Sequence, residues 1–144
     1  MKRQVFFSMQ DGYDTPRWAG GYSSRLLKDL SDAMHAFHNA VEALGLGNNV
    51  TAFTLFDFGY TFKPATSGGT DHGWGNYAFV LGGAVKGGDF YVTLPSQLLN
   101  GRDKVSDARR WIPTSSLEKY AAPMVRWLSV AEANASQHRR VWRG

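Results

Sequence analysis

The sequence predicts an α/β domain that begins with a strand, a helix and a second strand. Residues 4–9 and 50–56 are apolar runs rich in the β-branched and aromatic residues that favour strands. Between them, apolar residues recur every three or four positions over residues 22–44, which is typical of one face of an amphipathic helix. A strand, a helix and a strand in this order favour parallel strands joined by a right-handed crossover.

The remaining elements follow from the same patterns. Gly45 or Gly47 can end the first helix. Residues 77–81 and 89–94 predict two more short strands on either side of glycine-rich turns, and residues 106–111 have the pattern of one helical turn. Residues 117–128 predict a second amphipathic helix, with Ser115 and Glu118 at the spacing of a capping box and Pro123 as a possible kink.

Length and composition bound the organisation of the chain. Its 144 residues fit one domain over residues 1–130, followed by a basic tail over residues 131–144 that we expect to fray. No apolar stretch has the length of a membrane span, and no export signal is visible, so the compartment stays open. The net charge of +4 is not laid out along one face with interleaved aromatic residues, which argues against nucleic acid as a partner.

The best candidate for a chemical site is the segment from the second strand through a glycine-rich loop. Asp57 follows the strand directly, and the loop presents Asp71 and His72 beside several glycines. Asp14 follows the first strand in the same way. Because ligands of open α/β sheets bind beyond the strand ends, these side chains are expected at one sheet edge. Alternatively, Asp14 only makes turn hydrogen bonds, as aspartates near glycine and proline often do.

Several segments together resemble a known family. The chain contains RQVFFSMQDGYDT, TLFDFGYTFKP, GGTDHGWGNYAFVLGGAVKGG and RWIPTSSLEKYAAPMVRWL, which are similar to the C-terminal part of the bacterial DUF1501 proteins. That family is related to the alkaline-phosphatase and sulfatase superfamily. The resemblance implies a three-layer α/β/α sandwich with a mostly parallel sheet, of which this chain carries only the C-terminal portion.

The resemblance also implies a metal site. By motif, Asp14, Asp57 and His72 match positions that hold metal in the superfamily, with Asp71 supporting a ligand by hydrogen bonding. Carboxylate and imidazole groups suit one divalent ion, Zn²⁺, Mn²⁺ or Mg²⁺, which would polarise a phosphoryl or sulfuryl group.

The sequence departs from the family at positions that matter for catalysis. Pro16 stands where the family usually has histidine, Tyr60 where it has arginine, and Phe56 where serine is common, while Phe58 stands where phosphatases have histidine. The superfamily's nucleophile and first metal-binding aspartate belong to an N-terminal region that we expect to be missing here.

Two hypotheses follow. The first is a non-catalytic or partial module derived from a metal-dependent phospho- or sulfo-ester hydrolase fold, which associates with itself to cover an open sheet edge. The alternative is the C-terminal metal-binding half of an active hydrolase, whose nucleophile comes from the missing N-terminal half. The expected partner is therefore a second copy or that N-terminal half.

Overall fold

The computed structural model describes residues 3–14, 19–64, 66, 69–96, 98, 103–105 and 110–129. Two helices and six strands of two residues each make up the regular structure of these ranges. In chain order they are α1 (Ala19–Ala43), a 3₁₀ turn (Gly47–Asn49), β1 (Ala52–Phe53), β2 (Gly59–Tyr60), β3 (His72–Gly73), β4 (Val80–Leu81), β5 (Lys104–Val105), β6 (Arg110–Trp111) and α2 (Leu117–Ser129).

The long helix α1 confirms the helical pattern of residues 22–44. Its Leu26 is buried, with 9% of its surface exposed, and belongs to the small apolar core. The helix ends where Gly45 adopts φ +69° and donates its N–H to the carbonyl of Glu42. A side chain is strained at this φ, which explains why glycine occupies the position.

The strands form three antiparallel pairs: β1 with β4, β2 with β3, and β5 with β6. The first pair joins the apolar runs at residues 50–56 and 77–81, which the sequence predicts as strands, through Ala52 opposite Leu81 and Phe53 opposite Val80. The N–H of Thr54 extends this pair by bonding the carbonyl of Phe79. The paired regions are much shorter than the predicted strands.

Two of the strand predictions are wrong. Residues 4–9 and 89–94 are described, and neither range is assigned to a strand. A strand exists only where a neighbour completes its hydrogen-bond ladder, and no described strand lies beside either run. The predicted βαβ unit therefore lacks its first strand, and the three-layer sandwich with a mostly parallel sheet stays a prediction.

Helix α2 confirms the second helical pattern and runs through Pro123. Its cap is Ser116 and not the predicted Ser115: the Ser116 hydroxyl accepts a hydrogen bond from the N–H of Lys119 at 3.3 Å. A hydrogen bond from Ser116 to Glu118 lowers the pKa of that carboxyl. The residue three positions after Ser116 is Lys119, so the structure has a serine cap in place of the predicted capping box.

Some predictions fall on residues beyond the described ranges. Of the predicted helical turn at residues 106–111, positions 106–109 lie outside them, while Arg110 and Trp111 form β6. The basic tail at residues 131–144 also lies outside. Within the described ranges, neither helix has the length and apolar character that crossing a membrane requires.

Candidate functional site

The site is built on the hairpin of β2 and β3. Gly59 lies opposite Gly73, and Tyr60 lies opposite His72. Beyond this pair, the N–H of Thr61 donates to the carbonyl of Asp71 at 2.8 Å, and the N–H of Asp71 returns a bond to the Thr61 hydroxyl at 3.1 Å. Thr61 is buried. These bonds close the glycine-rich loop at its base and fix where Asp71 and His72 stand.

The structure brings Asp14 and His72 into direct contact. His72 Nε2 lies 3.0 Å from Asp14 Oδ1, although the two residues are 58 positions apart in the sequence. Both side chains are partly solvated, with 51% of His72 and 65% of Asp14 exposed. The structure thus brings together two of the three predicted metal ligands, and their role in binding metal stays a prediction.

Tyr13, next to Asp14 in the sequence, connects this part of the chain to α1. The Tyr13 hydroxyl lies 3.3 Å from the carbonyl of Leu26 and 3.1 Å from Gln10 Oε1, within hydrogen-bond distance of both acceptors. Its ring meets Phe56 edge to face, with the ring centroids 6.1 Å apart. Burial, and then the negative charge of Asp29, raise the pKa of Tyr13. Asp14 is thus presented from an anchored turn.

Aromatic neighbours orient the imidazole ring of His72. The ring stacks on Phe58 with centroids 4.0 Å apart and an interplanar angle of 17°. Tyr60 approaches it edge-on, with centroids 6.4 Å apart. Stacking fixes the plane of the ring, and the contact with Asp14 fixes its rotation within that plane. Phe58 therefore has a packing role here.

Arg110 is a part of the site that the sequence reading missed. Its Nη2 atom donates to Asp71 Oδ2 at 2.8 Å, and its Nε atom donates to the backbone carbonyl of His72 at 2.8 Å. The other Asp71 oxygen, Oδ1, accepts the N–H of His72 at 2.9 Å. The sequence showed Arg110 only as part of the basic excess, because its strand β6 is too short to have a readable pattern.

Asp57 does not join this cluster through a hydrogen bond or an ion pair. It is exposed at the bend between β1 and β2, and it forms no hydrogen bond or ion pair with another described residue. Over the ranges that the structure describes, no three histidine, aspartate or glutamate side chains are grouped closely enough to hold a metal ion. Asp14 and His72 offer two suitable donors, so a bound divalent ion would need water or a rearranged Asp57 as further ligands.

Comparison with known proteins gives one match. The family described as "Protein of unknown function (DUF1501)" matches residues 3–106, a range that contains Asp14, Asp57, Asp71 and His72. No curated protein and no solved structure matches the chain significantly.

Proposed function

The chain belongs to the DUF1501 family of proteins of unknown function, and from this premise we propose that it is a non-catalytic or partial module derived from a metal-dependent phospho- or sulfo-ester hydrolase fold. In this proposal the module belongs to a three-layer α/β/α sandwich with a mostly parallel sheet, and it associates with a second copy of itself. In the same proposal, the glycine-rich loop with Asp71 and His72 has a structural role and stabilises the fold.

The observation that carries this proposal is the way His72 is used. Its ring is stacked on Phe58 and bonded to Asp14, and its backbone carbonyl accepts a bond from Arg110. One residue thus connects the N-terminal segment, the β2–β3 hairpin and β6. Such a set of contacts is what a structural link requires.

The charges around the loop also favour a structural role. An anionic ester substrate needs a cation that is available to bind it. Arg110 is hydrogen-bonded to the backbone carbonyl of His72, and its guanidinium is paired with Asp71 at 2.8 Å. The charge of Arg110 is therefore used within the protein.

Exposed apolar side chains support self-association. Phe6 and Phe7 are 85% and 83% exposed, and their sequence neighbours Val5 and Met9 exceed 70%. A contiguous group of large apolar residues that is this exposed typically marks a surface that another polypeptide covers.

A double-mutant cycle on Asp14→Asn and His72→Gln tests the structural link. We expect each change to lower the free energy of unfolding in urea, with a coupling of about 0.5 kcal/mol, because both groups are partly solvated. Additive effects of the two changes would contradict the link. Turnover of an aryl phosphate or aryl sulfate by the chain, abolished by Asp57→Ala, would contradict the non-catalytic assignment.

The alternative, a metal-binding half of an active hydrolase, is favoured by one specific observation. A carboxylate and an imidazole from distant parts of the sequence lie 3.0 Å apart, which is a donor pair suited to Zn²⁺. Calorimetric titration with Zn²⁺, Mn²⁺ and Mg²⁺ separates the two proposals. The alternative requires binding that His72→Ala removes and that the control His35→Ala, an exposed histidine on α1, leaves intact.

A further inference from the structure

We infer that residues 3–11, which we name the N-terminal arm, pair with the same arm of a second copy as an antiparallel ladder with Phe7 on the two-fold axis. This inference rests on the proposed self-association and names the segment that provides it.

The arm is apolar and open to solvent. Val5, Phe6, Phe7 and Met9 are 71%, 85%, 83% and 72% exposed. The base of the arm is fixed, since the side-chain amide of Gln10 donates to the carbonyl of Leu26 at 3.3 Å. The arm therefore starts from an anchored point on α1 and carries uncovered apolar groups.

The sequence of the arm has the period of a strand. The odd positions Val5, Phe7 and Met9 are apolar, while Gln4 and Ser8 at even positions are polar. This alternation is typical of a strand with one buried face, and Phe6 is the exception to it. The arm lacks only a partner strand of matching length, because each described strand has two residues.

A second arm supplies such a partner, and the charges and the apolar positions together select the register. With Phe7 opposite Phe7, antiparallel pairing places Arg3 opposite Asp11 at both ends and Val5 opposite Met9 between them. Arg3 and Asp11 are both exposed. A register shifted by one residue, with Arg3 opposite Gln10, would keep a cation opposite Asp11 through Lys2, but it would place Val5 opposite Ser8 and Gln4 opposite Met9. Apolar and polar side chains would then share each face of the ladder. The two-fold register is therefore complementary in charge and in apolar character.

The apolar side chains of the arm also match their own copy. Four side chains of this size and exposure present on the order of 600 Å² per arm. In the ladder, Phe7 meets Phe7 and each Val5 meets a Met9 on the same face, so part of this area leaves water in both copies. A second copy of the chain is thus the occupant that the arm fits.

Disulfide trapping tests the predicted axis. The chain contains no cysteine, so Phe7→Cys introduces a single thiol. Residues directly opposite in an antiparallel pair have Cα atoms about 4.5–5.5 Å apart, which a disulfide can bridge. We expect most of the Phe7→Cys protein to become a covalent dimer on mild oxidation. The control is Leu44→Cys, at a residue that is 72% exposed but lies after α1, and it should stay mostly monomeric on a denaturing gel.

Charge reversal tests the register. Arg3→Asp and Asp11→Arg should each raise the dimer dissociation constant about tenfold, because each creates two like-charge contacts. The double variant restores opposite charges and should return to the wild-type value. Sedimentation velocity measures the three constants, and circular dichroism checks that the helices are intact.

The outcomes separate this inference from the self-association on which it rests. A wild-type chain that is monomeric at micromolar concentration would overturn both. A wild-type dimer in which Phe7→Cys is trapped no better than Leu44→Cys, or in which the double charge variant fails to recover, would overturn the arm pairing alone.

Discussion

Replacing Tyr120 tests whether helix α2 stabilises the strands that lead into the candidate site. Its hydroxyl lies 2.9 Å from the carbonyl of Thr54 and 3.3 Å from that of Phe79, at the end of the β1–β4 pair. Its ring meets Phe53 edge to face, with centroids 6.5 Å apart. Helix α2 is thus fastened to the strands that lead into the candidate site.

The change Tyr120→Phe keeps the ring contact and removes only the hydroxyl. The Phe79 carbonyl keeps its bond from the N–H of Thr54. The carbonyl of Thr54 loses its donor, so we expect a loss of about 1 kcal/mol in the free energy of unfolding. For a chain of this length, that loss corresponds to a fall in Tm of about 4 °C.

Urea unfolding followed by circular dichroism measures the loss. The matched control is Tyr77→Phe, because Tyr77 is 46% exposed and no bond from its hydroxyl is found among the described residues. Equal stability changes in the two variants would refute the reasoning that the Tyr120 hydroxyl joins α2 to the strands.

The same residue gives a pH dependence with a definite sign. Burial raises the pKa of Tyr120 to about 12, whereas the pKa of tyrosine in an unfolded chain is near its ordinary value of 10.0. The folded state thus favours the neutral phenol, and its contribution is complete below pH 10 and is lost as the pH rises towards 12. We expect the stability difference between wild type and Tyr120→Phe to shrink over this window in urea melts. A difference that stays constant from pH 9 to 12 would contradict the burial argument.

Two further predictions concern packing. Gly59→Ala should lower the free energy of unfolding by several kcal/mol or prevent folding, because an added Cβ would collide with the carbonyl oxygen of Gly75. In the control Gly87→Ala the added Cβ meets no atom within 4 Å, so the Tm in a thermal melt should hardly change. Met124→Ala should lower the free energy of unfolding by about 2–4 kcal/mol, since this residue is 7% exposed, while Val125→Ala on the open face, where that residue is 58% exposed, should cost much less. Similar losses within either pair of variants would show that the packing differs from that described.

The helices could be predicted from the sequence because their signal is local. An apolar face repeats along residues 22–44 and 117–128, and helical hydrogen bonds form within the same segment. The strands at residues 52–53 and 80–81 lie within apolar runs that the sequence predicts as strands. The antiparallel pairing was not expected, because the direction of a strand depends on which distant segment completes its ladder.

The candidate site divides in the same way. The sequence by itself determined that Asp14, Asp57, Asp71 and His72 are the candidate site residues. Carboxylate and imidazole groups can bind a metal ion, and this property belongs to the residue type. Only the tertiary structure decided that Asp14 meets His72, that Asp57 forms no hydrogen bond or ion pair with either of them, and that Arg110 binds Asp71. These contacts join residues tens of positions apart, and distances of this kind are set by how the whole chain packs.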